Sequence, residues 1–179
     1  EPLVGGKVFS FSTLAGVTCP YAKECESKAV LGDDNRLHIV DGPHTLFRCF
    51  SASQEVLFKL TYAQRKYNMD TLVTCGNSVD KYVELIQSSL PVKAKCIRIN
   101  VSGDFTTQNY FDAWLQVARN NPGVWFYAYT KSLPFWVKRL NDIPENMVLT
   151  ASRGGYKDNL IDEYKLRHVT VIHELDEVT

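Results

Sequence analysis

The 179-residue sequence lacks the features that mark several common classes of protein. No apolar run approaches the ~20 residues of a membrane-spanning helix. The chain opens with Glu1-Pro2-Leu3-Val4, which has none of the character of a basic and apolar leader. It also lacks a charge imbalance, since 20 Lys and Arg residues face 20 Asp and Glu residues. We therefore expect a cytoplasmic protein with no membrane association and no nucleic-acid partner.

Familiar catalytic signatures are missing as well. The sequence contains no P-loop, no GxGxxG fingerprint and no Ser/His/Asp order. Its four histidines show no metal-ligand spacing. The five cysteines are an odd number, which argues against a complete disulfide framework and favours a reducing compartment.

Three cysteines near the amino terminus are the most informative residues present. Cys19 and Cys25 share a polar loop with Pro20, and Cys49 follows 24 positions after Cys25 at a predicted helix start. Zinc ribbons usually need two close cysteine pairs, so a four-cysteine zinc site fits poorly. Three thiolates suit an iron–sulfur cluster with one iron left open. The alternative is that these cysteines are incidental core residues, which are common.

The two remaining cysteines have different expected places. Cys96 starts a predicted strand, at the end of the sheet opposite the polar loops, and is expected in the core. Cys75 lies in an interhelical turn and is an alternative fourth ligand.

Alternating strand and helix patterns predict a single α/β domain over 1–179 with a mainly parallel sheet. Helices are expected from about Ser51 to Tyr67, with Ser51 to Gln54 as a capping box, and from Ser78 towards Pro91. A further helix should bury Phe111, Trp114, Leu115 and Ala118, and shorter helices are expected at 134–140 and 158–164. Leu37 to Val40 and Thr45 to Phe50 suggest a small hairpin.

Five or six strands are too few for a closed eight-fold barrel, so an open, partial βα barrel is expected. The strands are predicted at about 7–12, 95–101, 124–129, 147–151 and 168–172.

Polar residues follow several of these strands where each one ends. In parallel α/β folds such ends meet at one edge and build the ligand site. We therefore predict Ser102, Asp104, Lys131 and Ser152 as cofactor- or ligand-binding residues beside the three metal-binding cysteines. Ser102 and Asp104 could instead cap the next helix, Lys131 could be a solvated surface lysine, and Arg153-Gly154-Gly155 could form a backbone nest for an anion.

The same motifs resemble the bacteriophage "gene product 88" family across nearly the whole chain. The resemblance rests on Thr18-Cys19-Pro20-x-Ala22-Lys23-Glu24-Cys25, Phe47-Arg48-Cys49-Phe50-x-Ala52-Ser53, Val101-Ser102-Gly103-Asp104-Phe105, Tyr129-Thr130-Lys131-Ser132 and Leu149-Thr150-Ala151-Ser152. It implies a phage-encoded protein in the host cytoplasm. The chain is more distantly similar to the radical S-adenosylmethionine superfamily, a partial TIM barrel with a 4Fe–4S cluster, through its Ser-Asp and Thr-Lys strand ends. That superfamily places Cys-x3-Cys-x2-Cys in one loop, whereas this chain spreads three cysteines over 31 positions.

Three functions remain open from the sequence. The chain could be an iron–sulfur enzyme whose open iron binds a small-molecule substrate or S-adenosylmethionine. It could be a non-catalytic iron–sulfur protein for electron transfer or for interaction with a host protein partner. It could also be a structural zinc protein.

Overall fold

Five short strands pair in parallel to form the main sheet in the computed structural model, which describes residues 8–172. Their spatial order is β1, β4, β5, β6 and β7, with β1 and β7 at the edges. The strands are β1 (Val8–Ser10), β4 (Cys96–Ile99), β5 (Trp125–Thr130), β6 (Met147–Ser152) and β7 (His168–Val169). Within the described residues the sheet does not close. The predicted open, mainly parallel βα architecture is confirmed, although the first residue of the strand predicted at 7–12 lies outside the described range.

Strand alternation gives the sheet two unlike faces. Ile97 and Ile99 of β4 join the hydrophobic core, whereas Arg98 and Asn100 point to the opposite side and line a cavity. Successive side chains along a strand point to opposite faces, so one strand serves both surfaces. The core face is covered by helices, chiefly α4 (Gln108–Asn120) and α3 (Val79–Ser89), which pack against each other.

Helix α4 buries the predicted face. Phe111, Trp114, Leu115 and Ala118 are each at most 2% exposed. The helix begins at Thr107, whose hydroxyl accepts a hydrogen bond from the Tyr110 backbone N–H at 3.2 Å. The expectation that Ser102 or Asp104 caps this helix is therefore wrong.

The small hairpin differs from the prediction. It pairs β2 (Ser27–Leu31) with β3 (Leu37–Asp41) in antiparallel register, and residues 45–49 form no strand. Strand β2 buries Ser27 and Ala29 while Val30 and Leu31 stay exposed. Its large apolar residues are therefore exposed and its buried residues are small, which is why an alternation pattern did not reveal it.

The helix predicted from Ser51 to Tyr67 is two helices, α1 (Phe50–Leu57) and α2 (Lys59–Val73). They are separated by Phe58, whose backbone is extended. Cys49, not Ser51, occupies the cap position before α1, and no side chain caps it, so the predicted capping box does not form. The break lets α2 pack against α1 and bring Arg65 to the buried Glu55, at 3.0 Å from Nη1 to Oε1.

The remaining helices are short. The helix predicted at 134–140 is α5 (Leu133–Val137) followed by a 3₁₀ turn at Leu140–Asp142, and α6 (Asn159–Glu163) matches the helix predicted near 158–164. Within residues 8–172, none of the helices combines the length and the apolar character needed to cross a bilayer.

Candidate functional site

A cavity of about 200 Å³ lies at the carboxyl ends of β4, β5 and β6. It is several times larger than the ~10–15 Å³ that one water molecule requires. All seven residues singled out in the sequence line it, namely Cys19, Cys25, Cys49, Ser102, Asp104, Lys131 and Ser152. The structure thus brings together side chains that are up to 133 positions apart, from Cys19 to Ser152.

The loop that carries Cys19 and Cys25 is fastened to two strand ends. On one side the Asp104 backbone N–H donates to the Thr18 carbonyl at 3.1 Å. On the other side the Glu24 backbone N–H donates to the Gly154 carbonyl at 3.0 Å. These bonds hold both thiols over the end of the sheet, although the loop itself contains no helix and no extended strand.

Cys49 reaches the cavity from a third segment. It precedes α1, and its backbone N–H donates to the Ser27 hydroxyl in the hairpin at 3.3 Å. A thiolate at the start of a helix is favoured by the unpaired N–H groups of the first turn. The three cysteines are each partly exposed, as residues at an open cavity should be.

Gly103 allows the cysteine loop to approach the end of β4. Its φ is +80°, in the region that favours glycine, and an added Cβ would lie 2.0 Å from Thr13 Oγ1 and 2.3 Å from Thr18 Oγ1. Those two hydroxyls are themselves hydrogen-bonded at 2.8 Å. Only glycine fits between the strand end and the loop.

The Asp104 carboxylate is a structural acceptor in this arrangement. Oδ1 accepts from the Thr130 hydroxyl at 2.6 Å and from the Phe105 N–H at 2.8 Å, and Oδ2 accepts from the Lys131 N–H at 2.8 Å. Burial raises the pKa of Asp104, and these hydrogen bonds act in the opposite direction. We conclude that Asp104 ties β4 to β5, with each oxygen already engaged.

Lys131 is a buried cation that lacks an anionic partner. The residue is 7% exposed, and its Nζ donates to the Ser152 hydroxyl at 2.8 Å and to the backbone carbonyls of Ser152 and Arg153. Within residues 8–172, no carboxylate oxygen lies within 4 Å of Nζ. The alternative of a solvated surface lysine is therefore wrong. The Asp104 carboxylate interacts with Lys131 electrostatically without forming an ion pair, so the cavity retains a cation that an anionic occupant could bind directly.

The surrounding protein disfavours free thiolates at two of the three cysteines. Burial raises the pKa of Cys19 well above its usual value, and the neighbouring Asp104 adds to the effect. Burial also raises the pKa of Cys25, while the nearby Lys131 acts to lower it. A metal that binds here must displace thiol protons, as is general for thiolate sites.

The two remaining cysteines lie outside the cavity, and the predicted anion nest is already occupied by a side chain of the protein. Cys75 is buried beside a different cavity with Lys81 and Glu84, and Cys96 is buried at the start of β4, as expected for a core residue. The suggested anion nest does form, but its occupant is the chain's own Asp158, which accepts from the N–H groups of Gly154 at 2.7 Å and Gly155 at 3.0 Å.

The arrangement of the cysteines does not match a site for one metal ion. Within the described part of the chain, no three His, Cys, Asp or Glu side chains are grouped as a single ion would require. A zinc ion draws its ligands to ~2.0–2.3 Å from one point. A polynuclear cluster holds its thiolates further apart, because metal and sulfide atoms lie between them.

Sequence reasoning missed three residues at this site. Arg98 and Asn100 line the cavity, and Glu55 accepts hydrogen bonds from the Ala15 N–H at 3.0 Å and the Ser102 hydroxyl at 3.2 Å, both in its wall. The sequence did contain a signal that could have identified Arg98 and Asn100. They alternate with Ile97 and Ile99 in the strand predicted at 95–101. Polar residues at every second position of such a strand point into a common space.

Comparison with known proteins gives one family. A family model described as "Gene product 88" matches residues 4–179. No curated protein and no solved structure matches the chain.

Proposed function

The chain belongs to the bacteriophage gene product 88 family, and we propose that it binds an iron–sulfur cluster, most simply 4Fe–4S, through Cys19, Cys25 and Cys49. The observation that carries the proposal is the convergence of these three thiols on one cavity that also contains the unpaired cation of Lys131. The family context further suggests action in the host cytoplasm, where reducing conditions keep cysteines as thiols.

Charge explains why this combination suits a cluster. Three thiolates and bridging sulfides make a cluster site electron-rich, and a nearby cation offsets that negative charge. The first turn of α1 behind Cys49 contributes in the same direction. With three protein thiolates, one iron would be left to bind a small molecule in the same cavity.

A structural zinc site is the weaker proposal. It requires four ligands near one point, and Cys75, the only further cysteine considered as a ligand, lies outside this cavity. Colourless protein with stoichiometric zinc would nevertheless decide for it.

Whether the cluster protein is an enzyme is a separate proposal. The comparisons return no radical S-adenosylmethionine relative. The Ser-Asp and Thr-Lys strand ends alone make S-adenosylmethionine the first small molecule to test at the open iron. The non-catalytic alternative, electron transfer or interaction with a host protein, is favoured by the internal hydrogen bonds of Ser102, Asp104 and Lys131. These groups are engaged by other residues of the protein and build the cavity. Formation of 5′-deoxyadenosine by reduced protein would support the enzyme, and its absence would favour the alternative.

The cluster itself is tested by anaerobic purification followed by iron and sulfide analysis and visible absorbance. We expect brown protein with both elements bound. Cys19→Ala, Cys25→Ala and Cys49→Ala should each lower the iron content, because each removes a ligand and leaves iron undercoordinated.

Two variants within the same chain serve as controls. Cys75→Ala and Cys96→Ala also remove a buried thiol, yet neither residue lines the cavity. Both should retain the iron content of the unchanged protein. Full iron retention in Cys49→Ala would refute the assignment of three ligands.

A further inference from the structure

Arg98 lines the cavity, and within residues 8–172 its guanidinium has no hydrogen-bond acceptor. It forms no ion pair and no side-chain hydrogen bond with any residue from 8 to 172, and its Nε is buried with no acceptor. The guanidinium carbon lies 5.3 Å from the centre of the Tyr129 ring, a contact that positions the group without using its N–H donors. Buried polar groups in native proteins normally find partners, so these donors point to a missing acceptor.

Asn100 supplies a second unpaired donor on the same side of the strand. It is 5% exposed, it lines the same cavity, and its Nδ2 has no hydrogen-bond partner in the described part of the chain. Its Oδ1 is engaged by the Tyr110 hydroxyl at 3.3 Å, so the amide donor is the end left free. Arg98 lies in β4 and Asn100 directly follows that strand, and both residues line the same cavity.

We propose that Arg98 and Asn100 form a subsite for an oxyanion, the carboxylate or phosphate group of a small-molecule ligand. This inference rests on the proposed function, since it names the chemical class of the ligand that enters the cavity beside the cluster. A guanidinium presents several N–H donors in a planar fork that matches the oxygen geometry of carboxylate and phosphate. The adjacent amide adds a neutral donor, and Lys131 adds positive charge in the same cavity.

Within residues 8–172, no carboxylate bonds to the side-chain donors of Arg98 or Asn100. The Asp104 oxygens are taken by β5 and by Phe105. Glu55 uses Oε1 for Arg65, Ala15 and Ser102. Its Oε2 is buried without a partner among the described residues, and Glu55 does not line the cavity. We therefore assign the role of acceptor for the Arg98 and Asn100 donors to an oxyanion from outside the protein.

The test titrates inorganic phosphate, and separately acetate, into the purified full-length protein at constant ionic strength, with binding measured by calorimetry. Iron content and visible absorbance are recorded on every sample. The variants are Arg98→Gln, which removes the charge, and Asn100→Asp, which replaces the amide donor and keeps an oxygen for Tyr110. Asp also tolerates the left-handed backbone at this position, where φ is +52°. The matched control is Arg36→Gln, an exposed arginine at the hairpin turn.

We expect saturable binding of one anion per chain, with Kd raised about tenfold or more in both Arg98→Gln and Asn100→Asp, since a charge-assisted hydrogen bond contributes ~1.5–3 kcal/mol. Arg36→Gln should bind as the unchanged protein does. A preference for phosphate or for acetate identifies the source of the oxyanion. If neither anion binds saturably, or if both cavity variants bind normally, the subsite is refuted even where iron is present. If anaerobically purified protein binds an anion but contains no iron, the anion binding supports the subsite and the missing iron contradicts the cluster.

Discussion

Arg65→Met tests the buried ion pair that holds the walls of the cavity together. Arg65 is 7% exposed and Glu55 is fully buried. Their contact of 3.0 Å is accompanied by hydrogen bonds from Arg65 to the Ser51 carbonyl at 3.0 Å and to Gln54 Oε1 at 2.9 Å. Methionine retains much of the aliphatic volume but leaves the Glu55 carboxylate buried without a counter-charge.

The expected cost follows from that uncompensated charge. Removing one partner of a buried ion pair typically destabilises a protein by about 3–5 kcal/mol. A domain has only ~5–15 kcal/mol of stability in total. Arg65→Met should therefore shift the midpoint of urea unfolding by a large fraction of its value. The double variant Glu55→Gln/Arg65→Met removes both charges and should be more stable than Arg65→Met alone. A purely steric defect at Arg65 would not show this energetic coupling between the two residues.

The neighbouring residue gives the control for this experiment. Lys66 forms an exposed ion pair with Asp70 at 2.6 Å in the same helix. Lys66→Met should leave the unfolding midpoint nearly unchanged, because exposed pairs contribute little. If Arg65→Met unfolds within about 1 kcal/mol of the unchanged protein, the Glu55 carboxylate is not held as a buried charge, and the reasoning fails.

Two further substitutions test the core and the loop contact. Trp114→Ala should cost about 3–5 kcal/mol in urea unfolding, since the side chain is 2% exposed within the core, and a loss below about 1 kcal/mol would contradict that packing. Gly103→Ala should disrupt the contact with Thr13 and Thr18 and lower both stability and iron content. Gly123→Ala, where an added Cβ meets nothing within 4 Å, should change neither quantity, and iron retention in Gly103→Ala would show that the loop can move away freely.

The parallel sheet and α4 were predictable because their patterns are local. Helical spacing of Phe111, Trp114 and Leu115 and short apolar strands report directly on which face is buried. Strand β2 escaped this reasoning because its buried positions are the small residues Ser27 and Ala29. Pattern analysis depends on large apolar residues facing inward.

The break between α1 and α2 has no local cause in the sequence. Neither proline nor glycine occurs near Phe58, and the interruption accompanies the tertiary contact between Glu55 and Arg65. Propensity is readily overridden by such contacts.

The cavity was predicted in outline but not in its internal bonding. Strand ends of a parallel sheet meet at one edge, so the meeting of Ser102, Lys131 and Ser152 followed from topology. The use of Asp104 as a brace between strands depends on distances that no spacing in the sequence encodes. Asp104 accepts three hydrogen bonds within the protein, and its role in ligand binding stays a prediction.

The wide separation of the cavity walls along the chain has a consequence for biosynthesis. Ala15 and Ser152 line the same space, and the Cys19–Cys25 loop is fastened to Gly154. Contacts between such distant segments form late in folding, because the long intervening chain must first be ordered. During translation the cysteine loop therefore leaves the ribosome long before β6 exists to hold it. The cavity can close only after β6 and the Gly154 segment have been synthesised, so a ligand that contacts all of these walls would bind after that stage of translation.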